Sequence, residues 1–387
     1  MLETIKTTAF RKAYAARFSD EKDKPLAGFI LSDQFPTAVE RLKNGEDILI
    51  PPEHILIPKE QHKFRNGYRY DVKTKAILGA INEALHRYDS LLSACSYSQA
   101  KKRGQGRCIA DIKADKNVRD SYICALDITR FAESLDCEVL DQAVDRIVSD
   151  DPACNALLHR LLHDRRYFDH GVPCLSETVV TLGNPLQAFW EDLYLNSFDH
   201  DMEERAVSYY RYFDDILFLA EDASSLTALR QFAETCLSGL KLQVNPSKVQ
   251  MAAPGEALTF LGCRICNGEV EKTAMIQNFK RVIDLRRVRA LKLKRKYALS
   301  DIRAMEVFLT SLRFFREGSM PKLFRTVNDA DVIRETDAYL IDALRQVGSG
   351  KKTGAKYRVR YEDMKKAGYH SLVNAYYKYV KSKPKGG

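Results

Sequence analysis

Tyr212-Phe213-Asp214-Asp215 constrains this chain more than any other stretch. It lies between two apolar runs, Val207–Tyr210 and Ile216–Leu219. Runs of that length around a short polar break predict two core strands joined by a tight turn. Such a turn projects two adjacent acids from a buried hairpin. Buried carboxylates need compensation, and Arg211 is the one arginine next to them in sequence. A divalent metal would compensate through hard oxygen ligands. Taken alone, a solvated Asp-Asp turn describes these four residues equally well.

A second acid separates the two readings. Ser121–Ile128 is a short apolar strand that ends near Asp127. After it the period changes: Val139, Leu140, Ala143, Val144, Ile147 and Val148 recur at helical spacing, with Asp136 as N-cap. Asp127 therefore sits where a strand gives way to a helix, a frequent address for chemistry. One strand-end Asp upstream and an Asp pair downstream suit a clamp on two cations about 4 Å apart, which stabilises the attacking and leaving oxygens of phosphoryl transfer.

With these motifs in order, from about Lys59 to Gly262, the sequence resembles a reverse transcriptase. Asp127-Ile128-Thr129-Arg130-Phe131 matches the family's first catalytic motif. Gly183-Asn184-Pro185-Leu186-Gln187, running on to Leu193-Tyr194-Leu195 and Asp199, resembles the motif that contacts template and nucleotide. Tyr212-Phe213-Asp214-Asp215 matches the Tyr-x-Asp-Asp box, Asn245-Pro246-Ser247-Lys248 the lysine segment near the triphosphate, and Phe260-Leu261-Gly262 the primer-grip hairpin. Each piece is weak singly, and five in the right order are strong. Phe64-Arg65-Asn66-Gly67-Tyr68-Arg69 adds a fingers hairpin, with Asn66-Gly67 expected as a two-residue type I′ turn. Arg65 and Arg69 take the family's triphosphate-contacting positions, where arginine's planar fork suits phosphate.

The resemblance implies an α+β right-hand polymerase: fingers, a palm of antiparallel sheet with helices, and a helical thumb. The expected divisions are 1–120 for an N-terminal segment and fingers, 121–270 for the palm, 271–347 for the thumb and 348–387 for a basic, Tyr-rich extension. By resemblance, Asp127, Asp214, Asp215 and the Ile128 carbonyl hold two magnesium ions, with manganese as the alternative, and Lys248 faces the leaving pyrophosphate. Arg65, Arg69, Phe131, Ala132, Gly183 and Gln187 line the nucleotide. Position 132 departs from the family, where an aromatic ring excludes the 2′-hydroxyl; alanine lacks that bulk. Pro173-Cys174-Leu175-Ser176-Glu177 departs too, as an insertion-like stretch.

Net charge is +9, which favours a polyanionic partner. The excess concentrates beyond Met275. Lys280, Arg281, Arg286, Arg287, Arg289, Lys292, Lys294, Arg295 and Lys296 face only Asp284, and Ser300 is the expected N-cap of a next helix containing Phe308 and Phe315. Arg286, Arg287, Arg289, Lys292, Lys294 and Arg295 are the candidates for tracking a duplex backbone. Ala100–Arg107 is a basic, glycine-bearing loop, and Gly348–Thr353 reads as a linker. The tail beyond it carries Lys351, Lys352, Lys383 and Lys385 among many cations. Its tyrosines, Tyr357, Tyr361, Tyr369, Tyr376, Tyr377 and Tyr379, are divided between base stacking and their own helix packing.

Nine scattered cysteines form no disulfide framework, and the start lacks a signal-peptide pattern, so the expected compartment is a reducing cytoplasm with no membrane span. Cys263-Arg264-Ile265-Cys266 stands alone and is expected as strand residues rather than a metal or redox motif. The length leaves no room for a retroviral ribonuclease H domain, and the Val-Thr-Gly signature of retron thumbs is missing. The resemblance therefore leans to bacterial defence-associated enzymes of the unknown groups. That implies a structured non-coding RNA as template, dNTPs as substrates and a DNA product. A template-independent or ribonucleotide-using polymerase, a retron-type or group II intron-like enzyme, and a non-catalytic RNA scaffold are the alternatives. Template, primer and oligomeric state are not encoded legibly.

Overall fold

The computed structural model describes residues 1–18, 23–58, 64–99, 103–271, 273–312, 324, 330–351 and 354–382. Lys59, Ala100–Lys102, Phe315, Lys352, Thr353, Lys383 and Lys385, named above, lie outside the described residues. The chain divides into two compact units, Met1–Glu256 and Ala257–Gly387.

The first unit opens with four short helices, α1 (Leu2–Lys6), α2 (Thr8–Ala15), α3 (Lys24–Leu31) and α4 (Gln34–Lys43). Leu2, Ile5, Ile30, Phe35 and Val39 drive their apolar faces into the same core as the central sheet. Strands β1 (Glu53–Pro58) and β2 (Phe64–Arg69) pair antiparallel, and α5 (Val72–Leu85) follows behind its N-cap Asp71. Next come α6 (Gln105–Ala114), β3 (Tyr122–Asp127), α7 (Cys137–Ile147) and α8 (Pro152–His163). Asp136 caps α7 as expected, accepting from the Glu138 and Val139 amides. Strands β4 (Arg166–Asp169) and β5 (Val172–Leu175) lead into α9 (Gln187–Arg205), β6 (Ser208–Tyr212), β7 (Asp215–Ala220), α10 (Ala223–Gly239) and β8 (Gln250–Ala252).

The central sheet runs β6-β7-β3-β8, antiparallel throughout. Residues Ile123–Asp127 and Ile216–Ala220 are buried without alternation, because helices cover the sheet: α10 packs on β3 and β7, and α9 on β6. That explains why both strands read as continuous apolar runs rather than an alternating pattern.

A second sheet runs β2-β1-β4-β5. It corrects the expected Asn-Gly turn. Asn66 and Gly67 lie inside β2, opposite Leu56 and Ile55. Gly67 serves close packing instead: a Cβ there would meet the Ile57 side chain at 2.3 Å. In this sheet a two-residue turn with positive φ at both positions joins β4 and β5 at His170-Gly171. The insertion-like stretch at 173–177 thus contributes Pro173, Cys174 and Leu175 to the strand β5 that extends this sheet. Gly183 anchors the following loop. Its φ is +108°, a Cβ would lie 2.4 Å from the Tyr68 carbonyl, and the Tyr68 amide donates to the Leu182 carbonyl at 2.9 Å.

The second unit starts with a three-stranded sheet, β9 (Leu258–Phe260), β10 (Cys263–Cys266) and β11 (Glu269–Glu271), in the order β11-β10-β9. Leu261 and Gly262, both at positive φ, make the β9–β10 turn that the sequence suggested. Cys263 and Cys266 are three apart on β10, so they face opposite sides of the strand, as expected of strand residues. Then come α11 (Thr273–Lys296), α12 (Asp301–Ser311) capped by Ser300, and the helix Ala330–Ser349. The expected linker does not begin at Gly348. That residue lies in the last turn of the helix and packs tightly on Met305 and Val359. Val359, Met364, Ala367, Tyr369, Leu372 and Tyr376 join the same core as α12, so the tail's polypeptide belongs to this unit. Asp337 holds it, accepting from the Tyr369 hydroxyl at 2.9 Å and the Ser371 hydroxyl at 2.8 Å. Of the six tail tyrosines, Tyr357, Tyr361 and Tyr377 stay exposed.

The two glycines give a paired prediction. Gly183→Ala meets both left-handed strain and a backbone oxygen, so urea denaturation should show a loss of about 2–4 kcal/mol. Gly171→Ala has the same strain but open space around it, and should lose only about 1 kcal/mol. Equal losses would remove the clash argument.

Candidate active site

The pairing of β3 with β7 sets Asp127 directly opposite Asp215. Opposed residues of an antiparallel pair share a face, with Cβ atoms about 5 Å apart. Asp214 comes from the hairpin turn, formed by Phe213 at φ +56° and Asp214 itself. The Asp214 carbonyl accepts from the Ile128 amide at 3.2 Å, tying the turn to the end of β3. The Ser98 hydroxyl accepts from the Phe213 amide at 2.7 Å. The three acids thus converge on one end of the sheet.

The segment 243–248 docks on the same end. The Asn245 amide donates to the Asp127 carbonyl at 2.8 Å, and the Thr129 amide to the Gln243 carbonyl at 2.8 Å. A single helical turn, Pro246–Lys248, capped by Asn245, then places the Lys248 Nζ 2.5 Å from Asp127 Oδ1. The Asn245 side-chain amide donates to Asp127 Oδ2 at 3.4 Å.

Electrostatics follow from burial. Asp127 is 7% exposed. Burial pushes the Asp214 carboxyl above its ordinary range, and Asp127 adds to this, while Lys248 and Arg65 oppose it. Asp215 is pushed up to about 6 by burial first, then by Asp214 and Asp127. The hydrogen bond to Asp127 raises Lys248, which stays an ammonium. Three clustered carboxylates against one contacting ammonium form an under-compensated, all-oxygen donor set. Such a set fits a hard divalent cation.

Arg211 does not provide the compensation that its sequence position suggested. It is fully buried, bound to Asp199 through Nε at 2.7 Å and Nη2 at 2.5 Å, and lies 3.2 Å from Asp192. Its remaining nitrogen donates to the Phe213 carbonyl at 3.2 Å. Asp199, expected as part of a template motif, is consumed by this network, and Tyr209 donates to it as well.

The other expected residues separate. Arg65 acts electrostatically on Asp214, whereas Arg69 is paired with Glu53 on the neighbouring strand. Phe131 is 4% exposed and packs in the hydrophobic core; Ala132 beside it is half-buried. Gln187 accepts from the Gly183 amide at 3.3 Å and donates to Glu191 at 2.8 Å. The Ile128 amide is used by Asp214, and its side chain is core. In the second unit, Arg287 binds Asp284 and Gln346, and Lys294 binds Asp301 and the Gly348 carbonyl. Arg289, Lys292 and Arg295 are exposed and Arg286 is half-buried on α11.

Glu191 and Ser98 were not singled out from the sequence, and Asn245 entered only as part of the lysine segment. Gln187 and Glu191 at i, i+4 on a helix could have signalled their pairing. Nothing local marks Ser98.

A family model described as reverse transcriptase (RNA-dependent DNA polymerase) matches residues 57–265, more than half of the chain. The chain belongs to this family. The structure of this reverse transcriptase family member resembles apo telomerase from Candida tropicalis, with a TM-score of 0.52 at 13% identity, covering 87% of this chain and 66% of that one. A truncated form of that telomerase gives 0.48 at 15% identity, covering 58% and 56%. The chain therefore spans less than two thirds of these telomerase chains. The BmCPV RNA-dependent RNA polymerase at elongation state gives 0.51 at 10% identity, covering 72% and 29%. No curated protein matches the chain. The likeness carries the fold, the α+β right-hand polymerase architecture. Among the described residues, no helix is long and apolar enough to cross a membrane.

Glu191 gives a pH prediction. Burial, with Asp192 and Asp214 adding, pushes it up to about 7 from 4.5. The folded protein thus prefers the neutral acid. Stability is full below about pH 4.5 and falls as pH rises towards 7, by about 3 kcal/mol in total. In chelator, Glu191→Gln should flatten the decline in Tm between pH 5 and 7.5. An unchanged slope would show that Glu191 ionises without penalty.

Proposed function

We propose that this protein is an RNA-directed DNA polymerase that copies a structured non-coding RNA in bacterial antiphage defence. The convergence of Asp127, Asp214 and Asp215 beside Lys248 supports the polymerase reading most directly. In this reading Asp127, Asp214, Asp215 and the Ile128 carbonyl would hold two magnesium ions, which when bound would supply positive charge to the reacting phosphate oxygens. Asp127 is kept in place by Asn245 and Lys248, and Asp214 by the hairpin turn. Lys248, held as an ammonium, has a proton to give to the leaving pyrophosphate. Arg65 adds positive charge on the triphosphate side.

The compact motif set and the missing Val-Thr-Gly signature support the defence-associated class over the retron type. The exposed cations Arg289, Lys292 and Arg295 on α11 support a nucleic-acid backbone as partner. We take 121–270 as palm, 271–347 as thumb and 348–387 as its basic extension.

Asp214→Asn with Asp215→Asn should reduce nucleotide incorporation at least about 1,000-fold while the circular dichroism spectrum and Tm are retained. Persistent polymer formation would refute the carboxylate assignment. Sequencing the nucleic acid that co-purifies should return one structured RNA with complementary DNA; random cellular RNA would remove the template reading.

Ala132 favours a second reading, in which ribonucleotides are accepted. The residue that would carry the excluding ring is small, and the neighbouring Phe131 is turned into the core. Incorporation of ribo- over deoxyribonucleotides should fall in Ala132→Phe. Strong deoxy preference in the parent, unchanged by the substitution, would sink this reading.

A further inference from the structure

Away from the acid cluster, α7 and α8 pack side by side. On α7, Cys137, Asp141 and Asp145 recur at i, i+4 and i+8 and share a face. On α8, His159 and His163 stand at i and i+4. The two faces meet. Cys137 Sγ lies 3.6 Å from His163 Nδ1 and 3.7 Å from Nε2. His163 Nε2 lies 3.0 Å from Asp141 Oδ2. One donor atom from each of Cys137, Asp141 and His163 falls within 4.8 Å of the others.

These separations have a chemical reading. Tetrahedral zinc with Zn–S of about 2.3 Å and Zn–N or Zn–O of about 2.0 Å puts sulfur and nitrogen roughly 3.5 Å apart, and nitrogen and oxygen roughly 3.3 Å apart. The sulfur–nitrogen spacings of 3.6 and 3.7 Å match such an edge, the nitrogen–oxygen spacing of 3.0 Å is slightly shorter than one, and sulfur and oxygen lie within 4.8 Å. We propose that Cys137, Asp141 and His163 form a site for zinc or a similar divalent transition metal, distinct from the carboxylate cluster. The mixed sulfur, nitrogen and oxygen donors select zinc over magnesium. His163 is well exposed, so a metal can enter from solvent and a water can complete the coordination.

His159 is a positioning residue. Its Nδ1 lies 2.5 Å from Asp141 Oδ1, which is also 3.2 Å from His163 Nε2, and its Nε2 lies 2.8 Å from Asp145. Such outer partners fix the orientation of a ligating group. An interhelical ion pair alone accounts for the His163–Asp141 contact but not for the thiol placed on the same ring. Burial holds the Cys137 thiol above its ordinary pKa, against which the neighbouring Arg165 guanidinium works. Metal binding would release the thiol proton to solvent. The consequence is a staple between α7 and α8, and α7 in turn packs on α9.

The test uses the full chain, stripped with chelator and titrated with zinc and with cobalt(II). Stoichiometric zinc by atomic emission, a rise in Tm with zinc but not with magnesium, and a thiolate-to-cobalt charge-transfer band are expected. Cys137→Ser should abolish the band, and Cys266→Ser should leave it. His159→Gln should weaken zinc binding about 10-fold while keeping the band. Asp214→Asn should leave the zinc site intact, which separates it from the polymerase chemistry. No retained zinc, or a cobalt band indifferent to Cys137→Ser, would overturn the proposal.

Discussion

The register of β3 against β7 is the constraint on which the site depends. Side chains alternate along a strand, so a slip of one residue would turn Asp127 away from Asp215 and misfit the apolar side chains packed on both faces of the sheet. Both strands are buried over Ile123–Leu126 and Ile216–Leu219, and that burial holds the register. The acids are carried at the end of the paired segment, where the strands leave the core. Apolar packing thus enforces the approach of like charges that would separate if free.

The hairpin that carries Asp214 needs its own support. Phe213 adopts a left-handed conformation that non-glycine residues rarely take. Its amide is bound by Ser98 and its carbonyl by Arg211. Arg211 sits fully buried between Asp199 and Asp192. A buried guanidinium with two carboxylates is a weak source of net stability, yet breaking it would leave an uncompensated charge beneath the turn. Burial pushes Asp199 up, with Arg211 opposing it. This network explains why the arginine beside the acids in sequence is not their counter-charge in space. That role falls to Lys248, which lies 121 positions from Asp127 in the chain.

Several features were legible because they are local. The Asp136 and Ser300 caps, the β6–β7 hairpin and the Leu261-Gly262 turn rest on short-range chemistry that survives in the fold. Asn66-Gly67 failed for an equally physical reason. The dipeptide permits a turn, but Gly67 is also what lets β2 approach Ile57 and Ile55, and pairing with β1 won. His170-Gly171, which turns between β4 and β5, carries no strong signal of its own. Gly348 read as a linker because serine and glycine follow it, but its lack of a side chain fits the crowded space between Met305 and Val359.

The sequence by itself determined the apolar strands, their acids and the order of the family's motifs, because periodicity and residue type are written along the chain. Only the tertiary structure decided which charges meet. It assigned Arg211 to Asp199, Lys248 to Asp127, Phe131 to the core, and Cys137 to His163 across two helices. Those outcomes depend on how elements far apart in sequence pack, and packing is settled by the shapes of buried side chains rather than by any local pattern.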